Sequence, residues 1–184
     1  MKILIGSTEY KVLKDQTSIE DAIGERSIAS FVVIDLQSEY LFAKGQPVSI
    51  YDDDGTTVIY NGFVNNVNEQ RSGIVLYHAI DTIDNHYLAD KRKIAKAYAS
   101  EYAGDIVTDI ITEKLSEESV TAGTIETGPV ITEAVFNYVS CADAITEIAE
   151  KTGYWWKIDQ DRKLHFRAPA SVPAPFEIRS EAHT

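Results

Sequence analysis

Over the first 90 residues the apolar positions recur every second residue or gather in short β-branched runs, and after residue 90 the period lengthens to that of a helix. Lys2–Ile5 and Tyr10–Leu13 are short apolar runs, and Ser27–Leu36 is rich in the β-branched and aromatic residues that suit a pleated surface. Ile19, Asp21 and Ile23 alternate, so Ser18–Ile23 reads as a strand that turns at Gly24-Glu25. Pro47–Tyr51 and Thr57–Tyr60 flank Asp52-Asp53-Asp54-Gly55, whose residues supply turn conformations, which makes this the clearest hairpin in the chain. Gly62, inside the run Tyr60–Val67, suggests a bulge or a sharp bend. A further strand, Gly73–Ile83, follows a turn at Gln70–Gly73. Strands at such regular spacing predict a small antiparallel β-barrel over residues 1–90.

Beyond residue 90, Ile106, Val107, Ile110, Ile111 and Leu115 share one face of a predicted helix, with Ser100 as its N-cap and Lys114 near the negative end of its dipole. Ser116–Pro129 reads as a polar loop with a brief strand at Thr124-Ile125. A second helix is better framed: Ser140 and Asp143 make an S-x-x-D capping signal, Ile145, Ile148 and Ala149 form the stripe, and Gly153 stops it. Tyr154, Trp156 and Ile158 then alternate with Trp155, Lys157 and Asp159, and a turn at Asp159–Arg162 leads into Lys163–Arg167, where Leu164 and Phe166 share a face. Ala168–Pro175 cannot continue a sheet. The fold class is α+β, mainly β: an antiparallel β-barrel (residues 1–90), an α+β domain with two helices and an aromatic hairpin (91–168), and a Pro-rich linker or tail (169–184).

Composition narrows the function classes. With 184 residues, 44% of them hydrophobic, the chain can bury a proper core, and no window approaches the roughly 18 apolar residues of a membrane span. The start, Met1–Gly6, is too short for a signal peptide, so a soluble protein made in the cytoplasm is expected. The single cysteine, Cys141, excludes an internal disulfide and a multi-cysteine zinc site. The net charge is −12 and the pI near 4.7, so a nucleic-acid backbone is repelled by the overall field. Residues 1–90 hold 6 Lys and Arg against 14 Asp and Glu, a net of −8, while residues 91–184 hold 11 against 15, a net of −4. The main basic run, Lys91–Lys96, is too short for a nucleic-acid footprint and reads as a solvated strand face.

No catalytic motif stands out, and neither a catalytic residue, a cofactor nor a metal is expected. His78 lies in a strand, His86 in a short polar turn, His165 on the Lys163–Arg167 face and His183 at the frayed end, and none has the spacing that places two metal ligands on one helix face. Cys141 beside the Ser140 cap has a position where a thiol pKa can fall, but a small side chain there usually packs. Position 12 counted from Asp52 is Phe63, not the Glu of a calcium loop. Tyr154, Trp155 and Trp156 raise the alternative of a carbohydrate-binding module, because aromatic faces stack on sugars. Neighbours in a strand point to opposite faces, however, which assigns Trp156 and Tyr154 to the core and leaves Trp155, with Lys157, as candidate subunit-interface residues.

The order of these elements resembles a known family. An extended segment running into a helix (Lys93–Leu115), then a second helix emptying past Gly153 into an aromatic strand (Phe136–Asp159), is similar to the baseplate hub and tail-tip proteins of long-tailed phages and to the head of the related type VI secretion spike. The Tyr60, Gly62, Val64 pattern after a short Asp-Gly turn is similar to that of hub barrels, and the resemblance runs best from Ile74 to Phe166. It implies a non-enzymatic structural protein of a phage or prophage tail, located in the virion tail after assembly in the bacterial cytoplasm. It further implies a ring of copies, commonly a trimer in that family, that joins tail tube to tip, lines the DNA channel and partners tail-tube and tail-tip proteins without membrane or sequence-specific nucleic-acid contact. Such proteins commonly continue beyond this point into further domains.

Overall fold

The computed structural model describes residues 1–21 and 26–171, so the turn expected at Gly24-Glu25, His183 and most of the Pro-rich tail lie outside the described residues. The strands and helices follow the order β1 (Lys2–Ile5), β2 (Thr8–Glu9), β3 (Ser18–Glu20), β4 (Ile28–Asp35), β5 (Pro47–Tyr51), β6 (Val58–Ser72), β7 (Val75–Asp84), α1 (His86–Asp90), β8 (Lys93–Tyr102), α2 (Ala103–Ile110), β9 (Thr121–Ile125), β10 (Val130–Ser140), α3 (Cys141–Thr152), β11 (Trp155–Ile158) and β12 (Lys163–Arg167). The protein is mainly β with helices packed on its second half.

The first seven strands form one antiparallel sheet in the order β2-β1-β5-β6-β7-β4-β3. Alternation decides its buried face: Ile3, Phe31, Val33, Val48, Ile50, Val64 and Ile80 all point to one core. The ladder has two ends rather than closing on itself, although Leu13 N donates to Val32 O (3.0 Å) and Ile34 N to Lys11 O (3.0 Å), so the chain after β2 touches β4. The Asp52–Gly55 hairpin forms as expected, with Gly55 at φ +69 and Asp54 accepting from the backbone of Thr56 (2.9 Å) and Thr57 (2.8 Å). The next turn is tighter than the sequence reading placed it. Gln70 and Arg71 belong to β6, and only Gly73-Ile74 separate the paired Ser72 and Val75, with Gly73 at φ +61 as a two-residue hairpin favours.

Gly62 is needed for closeness rather than for a bulge. A Cβ there would lie 2.3 Å from Ile83 O and 2.6 Å from the Tyr60 hydroxyl. The register shifts of this strand fall three residues to either side, at Ile59 against β5, between the pairs Ile50–Tyr60 and Tyr51–Val58, and at Asn65 against β7, between the pairs Val64–Thr82 and Asn66–Asp81.

The second half has its own core, built from α1, α2 and α3 against β8, β10 and the β11-β12-β9 sheet. Ser100 does not cap the first helix: it sits inside β8 at φ +56, and α2 starts at Ala103, whose N–H donates to Pro129 O (3.0 Å) while Gly104 N donates to Thr127 O (2.8 Å). Loop carbonyls thus take the place of a side-chain cap. Nine residues of ideal α-helix would turn Leu115 about 180° away from Ile106. The π-helical turn Ile111–Leu115 winds more widely, and both side chains end fully buried. For α3 the sequence signals hold: Ser140 Oγ accepts from Asp143 N (3.0 Å), and Gly153 ends the helix at φ +68. The brief strand expected at Thr124-Ile125 is the longer β9, which pairs in parallel with β12.

Replacing Gly62 with Ala forces a methyl group against backbone, which neither strand can move without breaking its ladder. Thermal unfolding of Gly62→Ala is expected to show a loss of about 1–3 kcal/mol; an unchanged melting curve would contradict this packing.

Candidate assembly surfaces

The residues that join the two cores lie at the end of β7. Asp84 is buried and accepts from Ser27 N (2.8 Å), from His86 N (3.1 Å) and from the His86 ring at Nδ1 (2.9 Å). His86 is not in a polar turn, as the sequence suggested, but opens α1, buried with its ring 4.5 Å from that of Trp156. Asn85 Nδ2 donates to Asp159 O (2.7 Å), and Asn61 Nδ2 to Gln160 O (3.0 Å), so the β11–β12 turn is fastened to the first sheet. Lys157 Nζ adds a pair with Asp21 (2.9 and 3.0 Å). The cavity between these groups measures about 30 Å³, room for one or two waters and no more.

The other two described histidines are held in similar structural pairs. His78 is fully buried, 3.4 Å from Asp35 through Nε2 and edge-on to Phe42. His165 Nε2 meets Asp159 Oδ2 (3.0 Å), while its Nδ1 accepts from Thr124 N (3.1 Å). Among the described residues no group of three or more His, Cys, Asp or Glu is placed to hold a metal. Cys141 is buried, and burial pushes its thiol up to about 11 despite the nearby helix N-terminus. Three of the four cations of the basic run are paired locally. Lys91 and Arg92 pair with Glu118 (2.8 and 2.7 Å), and Lys96 pairs with Asp109 (2.6 Å) and Glu113 (3.0 Å).

The aromatic hairpin does not present a shared stacking platform. Trp156 is buried and its indole N–H donates to Thr146 Oγ1 (3.0 Å), while Tyr154 packs on Phe166. Trp155, on the opposite face, is half-buried beneath the Arg167 guanidinium (5.8 Å from the ring). Most of the large exposed apolar side chains fall instead in two other groups, with Ile28 and Ile59 apart. Leu36 and Ile74 flank the paired Asp35–Leu76 end of the first sheet, with Leu41 in the loop after β4, and Tyr102, Val130, Val135 and Tyr138 lie on the β8–β10 ribbon. Alternation alone does not reveal the second group, because Tyr138 sits in a bulge that breaks the β10 register between Asn137 and Val139.

The loop that carries Leu36 and Leu41 is anchored by Asp35. Burial raises this carboxyl's pKa, but hydrogen bonds from Tyr40 N (2.9 Å), the Glu39 backbone, Gln37 N (3.1 Å) and His78 outweigh it and hold it at about 2. The unfolded value is about 3.9. A depressed folded pKa stabilises the fold fully above the unfolded value, and that contribution is lost as pH falls from about 4 towards about 2. Asp35→Asn is therefore expected to melt lower at pH 7 and to lose less of its remaining stability across that acidic window. Parallel acid titrations with identical slopes would contradict this role.

No family model matches the chain, and no curated protein matches it significantly. Solved structures do. A prophage tail protein of Listeria monocytogenes superposes on all of the chain (TM-score 0.73, 16% identity, 56% of that protein covered). A tail protein of Neisseria meningitidis matches 94% of the chain (TM-score 0.67, 15% identity, 51% of that protein). An Escherichia coli type VI secretion component, itself similar to the phage T4 tail proteins gp27 and gp5, matches 86% (TM-score 0.62, 9% identity, 48% of that protein). The chain spans about half the length of the solved structures it matches. It therefore carries the fold of phage tail proteins and of the related secretion component, the family its sequence resembles.

Proposed function

We propose that this protein is a structural, non-enzymatic component of a phage or prophage tail, a baseplate hub or tail-tip protein that joins the tail tube to the tip. The observation that carries the proposal is the superposition of the whole chain on a prophage tail protein. The satisfied, structural pairing of Asp84 with His86 and of Asp159 with His165 is in keeping with a protein that works by shape. Residues 1–90 and 91–168 are read as its two domains. The first is taken as a rolled sheet that residues 11–13 draw towards a barrel through their bonds to β4.

In this reading three copies form a ring around the DNA channel, within the virion tail and after assembly in the bacterial cytoplasm. Tube and tip proteins are the other partners. Trp155 and Lys157 remain proposed subunit contacts, since β11 is an edge strand of its sheet. The net of −8 in residues 1–90 gives the channel wall a use, because carboxylates repel phosphates and let the genome slide. A neutral or basic inner wall would remove that use and leave the structural role intact. Light scattering at rising protein concentration is expected to reach the mass of three copies. A chain that stays monomeric at high concentration, and that no tube protein recruits, would sink the ring.

A further inference from the structure

The face of the first sheet that looks away from its core carries a groove of about 700 Å³. Alternation along the strands sets its floor. Phe31, Val33, His78 and Ile80 are buried on the core side, so Val32, Tyr77 and Ala79 point the other way. Pairing places Val32 beside Ala79, Ala79 beside Asn68 and Tyr77 beside Gln70. Ala79 has the smallest side chain of this row and leaves the depression. The turn Lys14–Gln16 raises one wall with Leu13 and Gln16, and β6 raises the other with Asn68 and Gln70.

The lining is close to neutral. No Lys or Arg takes part in it, and its one carboxylate, Glu69, reaches to the His78 ring (3.4 Å) on the core side. In a half of the chain with a net of −8, an anion finds no partner there. The polar groups are instead the amides of Gln16, Asn68 and Gln70 and the hydroxyls of Tyr77 and Ser72. Elsewhere the amides of Gln46, Asn61 and Asn85 fasten the fold. The five polar side chains of the groove hydrogen-bond no other described residue, so their donors and acceptors stand open to a ligand.

We propose that this groove binds an uncharged oligosaccharide. An amide presents a donor and an acceptor side by side, which matches neighbouring sugar hydroxyls, while Leu13, Val32, Ala79 and the Tyr77 ring offer apolar surface to the C–H face of a pyranose. The volume lies within the roughly 300–1,000 Å³ of small-ligand sites. An extended peptide is less suited, because β4 and β7, which floor the groove, have ladder partners on both sides and no free backbone edge to offer. This binding is additional to the proposed structural role and does not depend on it.

Heteronuclear NMR of the full chain tests the site, with maltotetraose, cellotetraose and chitotetraose as uncharged probes and tetragalacturonate as a charged one. At least one uncharged probe is expected to shift the side-chain amide signals of Gln16, Asn68 and Gln70 in a saturable titration, and tetragalacturonate to shift none of them. Gln70→Ala is expected to weaken the binding by roughly three- to tenfold, the worth of one hydrogen bond. Ala79→Ile, which suits a strand but fills the floor, is expected to remove the shifts, with near-UV circular dichroism to verify folding. Trp155→Ala is expected to leave them unchanged. The site is overturned if no uncharged probe binds, if tetragalacturonate binds equally well, or if binding is undiminished in Gln70→Ala and in folded Ala79→Ile. Loss of binding in Trp155→Ala likewise overturns it, by moving the sugar to the aromatic hairpin.

Discussion

Two hydrophobic cores in one chain keep a fixed relation only if something buried spans them, and here the Asp84 carboxylate does so. It collects an N–H from Ser27, before β4, and two N–H groups from His86, at the start of α1. Asn85, between them, reaches the β11–β12 turn, and the His86 ring rests on Trp156 of the second core. Each partner of Asp84 would be left unsatisfied in its absence, at about 1–3 kcal/mol for a buried polar group. Because these bonds are directional, they orient as well as hold. Apolar contact between Phe63 and Tyr87 (5.5 Å between rings) supports the same junction without fixing its angle.

Local signals were readable wherever one residue decides the local conformation. Ser140, Asp143 and Gly153 each act on a helix end through a single hydrogen bond or a left-handed φ, so α3 could be bounded from its letters. The Asp52–Gly55 turn was legible for the same reason. Ser100, by contrast, has the chemistry of an N-cap but lies in a strand, because β10 pairs with β8 across its whole length and the donors of α2 find carbonyls at Thr127 and Pro129. The need for glycine at position 62 comes from Ile83, 21 residues away, and could not be read locally. The seating of Leu115 depended on a π turn that α-helical periodicity does not describe.

The surfaces were the least legible part. Trp155 and Lys157 drew notice because tryptophan is conspicuous, whereas folding gives each a partner, Arg167 and Asp21. Tyr138 and Val135 looked like ordinary strand residues. Their exposure follows from which face of the ribbon the helices cover and from a bulge at Tyr138 itself, both of them consequences of tertiary packing. Among the described residues most buried polar side-chain atoms are paired, Asn61 Oδ1, His78 Nδ1 and Arg167 Nε excepted, and large apolar side chains such as Leu41, Ile74 and Tyr138 stand exposed, which suits the proposal that neighbours complete the surface.

The proposed neighbours are the parts of a tail. Electron cryomicroscopy of tails from particles that encode this chain tests it most directly. The account predicts that both cores, held at the angle set by Asp84, fit density where tube meets tip, with copies repeated around the tail axis. Intact tails whose density and protein content lack the chain would contradict it.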